Sequence, residues 1–418
     1  MRNRLYNMGA LIALLMMLSA VAPAQSFPRE LHEAYSLNPD GALTVTNTSG
    51  NIRITTWNEN RVQVDAVKRA RREEDWPLVE IRVNSRPERL EITTIYPRGR
   101  SNSTSVDYDL KVPRGATLSN VASTSGDVTV TGPIASVVAR STSGNVAAVN
   151  VTGNANLSST SGNARAEHIG GGLSISATSG NVTASDVAAR ANARCASGNI
   201  HLSNVRDDAN ASCASGSIRL EQIGGRVAAH SSSGGVTIRQ VSGDVEAASN
   251  SDNVLIEDVR GRVVATSFTG NVVVRKADEG VRATATSSNI EISQAKGRIE
   301  AETISGSITL RDVDSHDLRL KSLSSSVQYQ GKLYADGRYE FNSFSGNVVI
   351  TLPADSEFNL TAQSFSGTIN SDFPIQLTAG KLSSRGPVQG VAGKGGAQLK
   401  AESFSGNVQI KKQVAQAR

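Results

Sequence analysis

Aromatic side chains are scarce in this chain of 418 residues, where Phe, Trp and Tyr together make up only 4% of the sequence. A large globular core needs bulky side chains to fill its volume at the density of a crystal. Their scarcity argues against such a core, whereas small residues suit a thin interior between closely spaced strands.

Long apolar segments are also lacking, except near the start of the chain. Arg2 and Arg4 precede an apolar run over residues 8–18, and Ala22-Pro23-Ala24 follows it. This order predicts a secretory signal peptide over residues 1–24, and the run is too short for a permanent membrane helix. We therefore expect an exported protein, periplasmic, cell-surface or extracellular, with no transmembrane segment after signal cleavage.

A strong charge of one sign is absent too. The formal net charge is +5, and it falls to +3 when Arg2 and Arg4 leave with the signal peptide. So small an excess is typical of an ordinary mixed-charge surface, and it does not predict a nucleic-acid partner.

The dominant feature of the chain is a repeat. A Ser-Gly-Asn type triplet recurs with an 18-residue period. The period holds without insertion or deletion over eleven coils, and a disordered low-complexity tract does not keep register in this way. The glycine column contains Gly126, Gly144, Gly162, Gly180, Gly198, Gly216 and Gly234, and it continues in degenerate form through Asp252, Gly270, Ser288 and Gly306.

Apolar residues follow the same period. They stand two and four positions after each glycine, which places them on the inward face of a strand. The next apolar column comes three positions later, so the parity flips and a corner is required. The sequence thus predicts an all-β protein, a parallel β-helix (β-solenoid) with 18-residue coils, which we expect to be right-handed.

Turn chemistry supports the same prediction. Glycine relieves the steric cost of a positive φ angle and asparagine tolerates it, so we expect positive φ at the Ser-Gly-Asn corner. The asparagines at one corner position would hydrogen-bond from coil to coil as a structural turn ladder with the glycines. They include Asn145, Asn163, Asn181 and Asn199.

Less regular segments flank the repeat. Residues 25–118 contain strand-like runs and both tryptophans, and we interpret them as an N-terminal β-rich cap domain, with an independent ligand-binding domain as the alternative. Residues 119–322 would form the regular solenoid. Residues 323–418 would form irregular C-terminal coils and a cap.

The C-terminal segment keeps the repeat motif with a new residue in front of it. Phe344, Phe365 and Phe404 all occupy the position before the turn, which predicts a local aromatic stack. The glycine-rich residues 380–396 are predicted to form an external loop before the final coil.

Histidines give no catalytic or metal-binding pattern. His168, His201 and His230 occupy three different coil positions, so no column brings two of them together as ligands or as a base beside a nucleophile. We therefore predict no cofactor and no metal site.

One charged column needs separate consideration. Its residues alternate in sign on successive coils, which predicts a stabilising ladder of ion pairs rather than a catalytic cleft, because pairing neutralises the groups that catalysis needs perturbed. They are Glu221, Arg239, Glu257 and Arg275.

Cys195 and Cys213 are the only cysteines, and their sequence separation of 18 places them at the same coil position. Adjacent coils would place their Cα atoms about 4.8 Å apart, inside the disulfide range, and an oxidising compartment permits the bond. The same column otherwise holds small inward-facing residues, so two buried free thiols are the alternative.

Three stretches of the chain match a known pattern: residues 47–52 followed by Trp57, residues 112–116, and residues 404–408. They resemble the bacterial "putative adhesin" β-strand-repeat family, a domain of unknown function with Ser-Gly-Asn/Asp-Val repeats, over essentially the whole mature chain. The resemblance implies a β-helix at the cell envelope that acts in adhesion or in sensing envelope stress, and it implies no agreed catalytic residues.

The sequence therefore favours a non-enzymatic exported envelope protein, a binding scaffold or adhesin-like β-solenoid. Its partner would be an envelope polysaccharide or another envelope protein. The alternative is a carbohydrate-active enzyme on a β-helix, a polysaccharide lyase or hydrolase, which would show acidic side chains clustered beside a groove.

Overall fold

The computed structural model describes residues 27–97, 103–379 and 387–413. The predicted signal peptide over residues 1–24 lies outside the described residues. Of the described residues, 63% are in strands and 2% in a helix, and they form a β-solenoid of about 13 turns with a spacing of about 18 residues. The predicted fold class is therefore confirmed. In the described residues, no helix has the length and apolar character needed to cross a membrane.

The N-terminal segment contains seven described strands and one short 3-10 helix, Glu73–Leu78. The strands are β1 Phe27–Ser36, β2 Ala42–Ser49, β3 Ile52–Trp57, β4 Arg61–Ala70, β5 Glu80–Arg86, β6 Arg89–Ile95 and β7 Ser105–Pro113.

Each regular coil supplies one strand to each of two sheets. Sheet A takes the strand after the Ser-Gly-Asn corner, and sheet B takes the strand before it. The strands are β8 Thr117–Ser125, β9 Val128–Ile134, β10 Ser136–Ser141, β11 Val146–Val151, β12 Ala155–Ser159, β13 Ala164–Ile169, β14 Leu173–Ala177, β15 Val182–Val187, β16 Ala191–Cys195, β17 Ile200–Val205, β18 Ala209–Cys213, β19 Ile218–Ile223, β20 Val227–Ser231, β21 Val236–Val241, β22 Val245–Ser249, β23 Val254–Val259, β24 Val263–Ser267, β25 Val272–Ala277, β26 Val281–Ala285, β27 Ile290–Ala295, β28 Ile299–Thr303, β29 Ile308–Arg311 and β30 Asp317–Ser322.

The C-terminal coils are less regular in length. Their strands are β31 Val327–Gln330, β32 Arg338–Ser343, β33 Val348–Leu352, β34 Phe358–Ser364, β35 Ile369–Ser371, β36 Ile375–Ala379, β37 Val388–Ala392, β38 Ala397–Ser403 and β39 Val408–Lys412.

Parallel pairing between equivalent positions of successive coils builds both sheets. In sheet A, Val146 lies opposite Ala164, and in sheet B, Ala155 lies opposite Leu173. Alternate residues of every regular strand point inward and are buried, so each coil covers the apolar face of the next. As in other repeat proteins, a single coil gains its stability from its neighbours.

The parity flip in each coil comes from one residue in the left-handed region. Its φ angle lies between 53° and 63° in ten successive coils. These residues are Asn150, His168, Asp186, Asn204, Gln222, Gln240, Asp258, Lys276, Gln294 and Asp312. Polar residues such as Asn and Asp tolerate this conformation better than β-branched ones, and a single such residue redirects the strand.

The expectation of positive φ at the Ser-Gly-Asn corner is wrong. None of the seven glycines from Gly126 to Gly234 has φ in the left-handed region. Glycine is favoured there because successive coils approach closely: a Cβ atom on Gly144 would lie 2.1 Å from the carbonyl oxygen of Gly126, and one on Gly162 would lie 2.3 Å from that of Gly144.

The N-terminal end has an exchanged coil order. The coil β2–β3 comes first in the sequence, yet it lies between β6–β7 on one side and β8–β9 on the other. Antiparallel strands complete this end, with β4 and β1 beyond β7 in sheet A and β5 beyond β6 in sheet B.

The C-terminal end repeats this arrangement in reverse. The last coil in the sequence, β38–β39, lies between β32–β33 and β34–β35, and the antiparallel strands β37 and β36 follow β34. The predicted external loop over residues 380–396 is therefore wrong in part. Residues 388–392 form β37 because alternate residues are buried against β34, while residues 380–386 lie outside the described residues.

Candidate binding surface

The asparagines of the Ser-Gly-Asn corner serve the fold. The Oδ1 atom of Asn145 accepts a hydrogen bond from the backbone N–H of Asn163 at 2.9 Å, and Asn163 accepts one from Asn181 at 2.8 Å. Asn181 does the same for Asn199. Each Oδ1 atom thus satisfies a backbone donor of the next coil, which is a structural role.

Inward-facing serines form a second set of hydrogen bonds. The Ser141 hydroxyl donates to the carbonyl oxygen of Gly126 at 2.8 Å and accepts from the N–H of Gly144 at 2.9 Å. The same serine bridge recurs at Ser159 and Ser231. Sequence reasoning identified this column as small and inward-facing but missed the bridge, although the serine three positions before each glycine was visible.

Cys195 and Cys213 occupy this serine column on adjacent coils. Their Cα atoms are 4.8 Å apart and the sulfurs are joined as a disulfide. The Cys213 sulfur lies 3.0 Å from the carbonyl oxygen of Gly198, as a serine hydroxyl does elsewhere in the column, and the Cys195 sulfur lies 2.9 Å from the same oxygen. The site thus has room for either state, and the bond itself stays a prediction.

The alternating charges near the middle of sheet A are paired. Glu257 bonds Arg239 at 2.7 Å and Arg275 at 2.8 Å. Burial raises the pKa of Glu257, but the hydrogen bonds from the two arginines outweigh it and leave that pKa below its usual value. A carboxylate that is held ionised in this way is a poor general acid.

The histidines do not form a cluster with other metal-binding groups. His168 faces Asp186 at 3.4 Å, and His316 bonds Asp336 at 2.8 Å and stacks on Tyr334. In the described ranges, no group of three His, Cys, Asp or Glu residues could hold a metal ion.

The most unusual surface feature is a line of exposed apolar side chains at the corner before the glycine column. Six of them are between 43% and 57% exposed, and Thr286 lies between the first two. We call this line the apolar ridge; in spatial order it consists of Phe268, Thr286, Ile304, Leu323, Phe344, Phe404 and Phe365.

Backbone hydrogen bonds establish the order along the ridge. The residue after each ridge position donates to the carbonyl of the preceding ridge residue, as in Ser287 to Phe268 at 2.9 Å and Ser305 to Thr286 at 2.9 Å. The exchanged C-terminal coil places Phe404 between Phe344 and Phe365. Six steps of about 4.8 Å make the ridge about 29 Å long.

The predicted aromatic stack is confirmed at the C-terminal end of the ridge. The ring of Phe404 stacks on Phe344 with centroids 4.7 Å apart, and on Phe365 with centroids 4.8 Å apart. The planes deviate from parallel by only 0° and 4°. Each ring covers its neighbour's face, so the stack presents ring edges to the outside.

Sequence reasoning noted these three phenylalanines but not the rest of the ridge. Phe268, Thr286 and Ile304 are spaced by the repeat period and therefore lie in one column. One extra residue after Ile304 brings Leu323 into the same column. Each ridge residue directly follows the buried residue of the serine column, so its outward direction could be predicted from the alternation of side chains along a strand.

On the sheet A side the ridge is bordered by the uncharged outward residues Thr309, Gln328 and Val349, while the exposed Glu291 stands in the same row beside Thr286. On the sheet B side, Glu302 and Lys321 neutralise each other at 3.0 Å. Side chains of this size bury 150–250 Å² each, so six half-exposed ones present roughly 500 Å². Patches of this size on a soluble protein are often functional.

Comparison with known families identifies one match. The family model described as Toastrack DUF4097 matches residues 38–210 and 173–411, which together cover most of the chain. The search of curated proteins finds no match.

Several solved structures are similar. A "putative cell adhesion protein" from Clostridium sporogenes is 8% identical, covering 93% of this chain and 100% of that one, with a TM-score of 0.17. A "putative adhesin" from Bacteroides fragilis is 13% identical, covering 72% and 97%, with a TM-score of 0.20. A "putative lipid binding protein" from Parabacteroides distasonis is 11% identical, covering 71% and 96%, with a TM-score of 0.19. At these identities and scores the likeness carries no information on function.

Proposed function

The chain belongs to the Toastrack DUF4097 family, a domain of unknown function, and from that premise we propose that it is a non-enzymatic, exported envelope protein that binds another envelope protein through its apolar ridge. In this proposal the signal peptide over residues 1–24 directs export. Residues 25–118 cap one end, residues 119–322 form the shaft, and residues 323–418 form the other end.

The ridge is the observation that supports binding. Exposed apolar side chains are scattered on most soluble proteins, but here six of them stand in one column within a run of coils that only Thr286 interrupts. Leaving roughly 500 Å² of apolar surface in water costs solvation free energy that a partner would recover. A stable interface buries about 800 Å² on each partner, so the ridge alone supports a reversible contact.

Ring geometry favours a protein partner over a polysaccharide. The stacked rings of Phe344, Phe404 and Phe365 cover one another's faces, which leaves edges rather than open platforms. Apolar side chains of a partner can pack between and beside such edges, and the sheet A border beside the three rings is uncharged, so this part of the contact needs no charge matching.

The ridge is testable with a matched pair of variants. Photo-crosslinking from position 344 in the envelope would identify the contacting protein, which would then be purified. We expect the triple variant F344S/F365S/F404S to bind it at least tenfold more weakly than the wild type. The control variant T124S/T142S/T160S changes the same column at the other end of the solenoid and should bind normally. Equal binding by both variants would contradict the proposal, and crosslinking to glycan alone would favour a polysaccharide.

The enzymatic alternative has its own test. The mature protein is incubated with envelope polysaccharides and peptidoglycan while glycan breakdown is followed. We expect no turnover, because Glu221 and Glu257 are paired with arginines. Cleavage of any of these glycans would establish an enzyme and overturn this part of the proposal.

A further inference from the structure

A second column of charged residues runs along the edge of sheet B, one position before the first buried residue of each strand. Backbone hydrogen bonds stack these positions directly: Val245 donates to the carbonyl of Arg262, Val263 to that of Gly280, and Val281 to that of Arg298. From one coil to the next the column contains Arg190, Asp208, Arg226, Asp244, Arg262, Gly280, Arg298 and Asp317.

The aspartates of this column contact neighbouring arginines, and Asp208 does so on both sides. Asp208 accepts from the Arg190 guanidinium at 2.8 Å and from the backbone N–H of Arg226 at 2.9 Å. Asp244 accepts from the backbone N–H of Arg262 at 2.9 Å. The column thus alternates basic and acidic residues, and opposite charges on neighbouring strands stabilise the stack.

Gly280 interrupts the alternation where an acid would be expected. It has φ +111°, and a Cβ atom there would lie 2.7 Å from the carbonyl oxygen of Arg298. No acidic side chain can therefore be placed between Arg262 and Arg298 without strain. The neighbouring acid, Glu279, is exposed.

An open cleft of about 410 Å³ lies at this point on the outer face of sheet B. It is lined by Arg262, Val264, Val281, Arg282, Arg298 and Glu300. Three guanidinium groups thus border one cleft, with a single carboxylate among the lining residues.

That carboxylate does not neutralise the cleft. Glu300 pairs with Arg282 at 3.3 Å and with Arg298 at 2.5 Å, and Arg298 also reaches Asp317 at 3.5 Å. Among the described residues, no ion pair within 4.0 Å is found for Arg262. The arginines therefore outnumber the acids that contact them.

We propose that this cleft binds an oxyanion, a carboxylate or a phosphate group, between Arg262 and Arg298. The ligand takes the place of the acid that Gly280 omits. Guanidinium groups bind both types of oxyanion in a bidentate manner, and Arg282 borders the same space. Val264 of the cleft lies in β24, and Phe268 of the ridge directly follows the end of that strand, so the cleft lies near the ridge but uses different residues.

The test is a titration of the mature protein, with arginine side-chain Nε–H signals followed by NMR. Inorganic phosphate and a short oligogalacturonate are the two probes. We expect saturable shifts of the Arg262 signal with at least one probe, and weaker binding at higher ionic strength because these charges are exposed. Phosphate alone would indicate a phosphate-bearing ligand, and the uronate alone a carboxylate-bearing one.

Two variants make the test specific. R262Q should weaken binding at least tenfold, because it removes one side of the cleft. R226Q removes an arginine from the same column that has aspartates on both neighbouring coils, and it should bind like the wild type. No saturable shift with either probe, or equal loss in both variants, would overturn the proposal. Either result leaves the ridge proposal intact, since the ridge is assayed with a different partner and different variants.

Discussion

Replacing Gly162 with alanine tests the reason for the glycine column. The added Cβ would lie 2.3 Å from the carbonyl oxygen of Gly144, 2.5 Å from its carbonyl carbon and 2.8 Å from the backbone nitrogen of Asn145. Ordinary contacts begin near 3.4 Å, so the two coils must separate locally. Overpacking of this kind costs about 1–3 kcal/mol, and weakening the adjacent serine and asparagine hydrogen bonds adds about 1 kcal/mol.

The matched control is Gly172→Ala. A Cβ there would meet only the Oδ1 atom of Asn154 at 3.5 Å and the carbonyl oxygen of Arg190 at 3.7 Å. We expect no loss of stability, and a gain of up to about 1 kcal/mol from a less flexible unfolded chain. Urea unfolding followed by far-UV circular dichroism compares the variants, and hydrogen exchange of residues 159–163 localises the change. Equal unfolding midpoints for the two variants would refute the close-contact explanation.

The coil of Asp252 shows how the column accommodates a side chain. The hydrogen bonds around that position lengthen to 3.2 Å, from Asp252 to Ser249 and from Ser267 to Asp252, whereas serine bridges at glycine positions measure 2.8–3.0 Å. The preceding ladder position is Gly235, whose missing side chain makes space for the Asp252 carboxylate. Ser288 also places a side chain in this column, with Asn271 in the preceding ladder position, and there the ladder bond from Asn289 to Asn271 lengthens to 3.2 Å. We expect alanine at Gly162 to lengthen the hydrogen bonds around it in the same way.

Four further predictions follow from the corner and the charges. Ser159→Ala should cost about 1–3 kcal/mol of unfolding free energy, because it leaves a buried N–H and a buried carbonyl without their shared hydroxyl; urea unfolding measures this. The double variant C195S/C213S should be more stable than C195A/C213A by about 1 kcal/mol, because serine restores the usual bridge, and a disulfide in the wild type would add a loss of about 3 kcal/mol to both variants; urea unfolding under oxidising and reducing conditions separates the two effects. Gln240→Gly should raise stability by up to about 1 kcal/mol, since Gln240 has φ 56° and glycine relieves that cost; a lower thermal midpoint would contradict this. The pKa of Glu257 is lowered in the folded chain, so its stabilising effect is present above its ordinary value of 4.5 and is lost as pH falls through the folded pKa; an NMR titration of its side-chain carboxyl should give a midpoint below 4.5.

Much of the fold could be predicted because the repeat period of the coils is visible in the amino-acid sequence. Each coil stacks on the next at the repeat period, so each inward column in the sequence becomes a buried row in the structure. The reason for the glycines was misjudged, because a contact between coils is invisible to local turn chemistry. The left-handed residue lies instead at the other corner, where Asn150 and its equivalents are polar but otherwise varied.

The ends could not be predicted in the same way. The coils β2–β3 and β38–β39 are each covered by a coil that is distant in sequence, and no local pattern encodes that exchange. The exchange also completes the ridge, since it inserts Phe404 between Phe344 and Phe365. The oxyanion cleft depends on the lack of an acidic residue at Gly280. That lack is apparent only when the coils are aligned in space. The domain limits and the disulfide between Cys195 and Cys213 stay predictions.

Side-chain footprinting by hydroxyl radicals tests the central claim, that the ridge is the binding surface, most directly. The mature protein would be oxidised alone and together with the envelope protein fraction of the bacterium that produces it, and each phenylalanine would be followed by mass spectrometry. We expect oxidation of Phe344, Phe404 and Phe365 to fall severalfold with the partner present, while the buried Phe341 and Phe358 stay unmodified in both samples. Unchanged oxidation along the ridge, with protection elsewhere on the solenoid, would contradict the account.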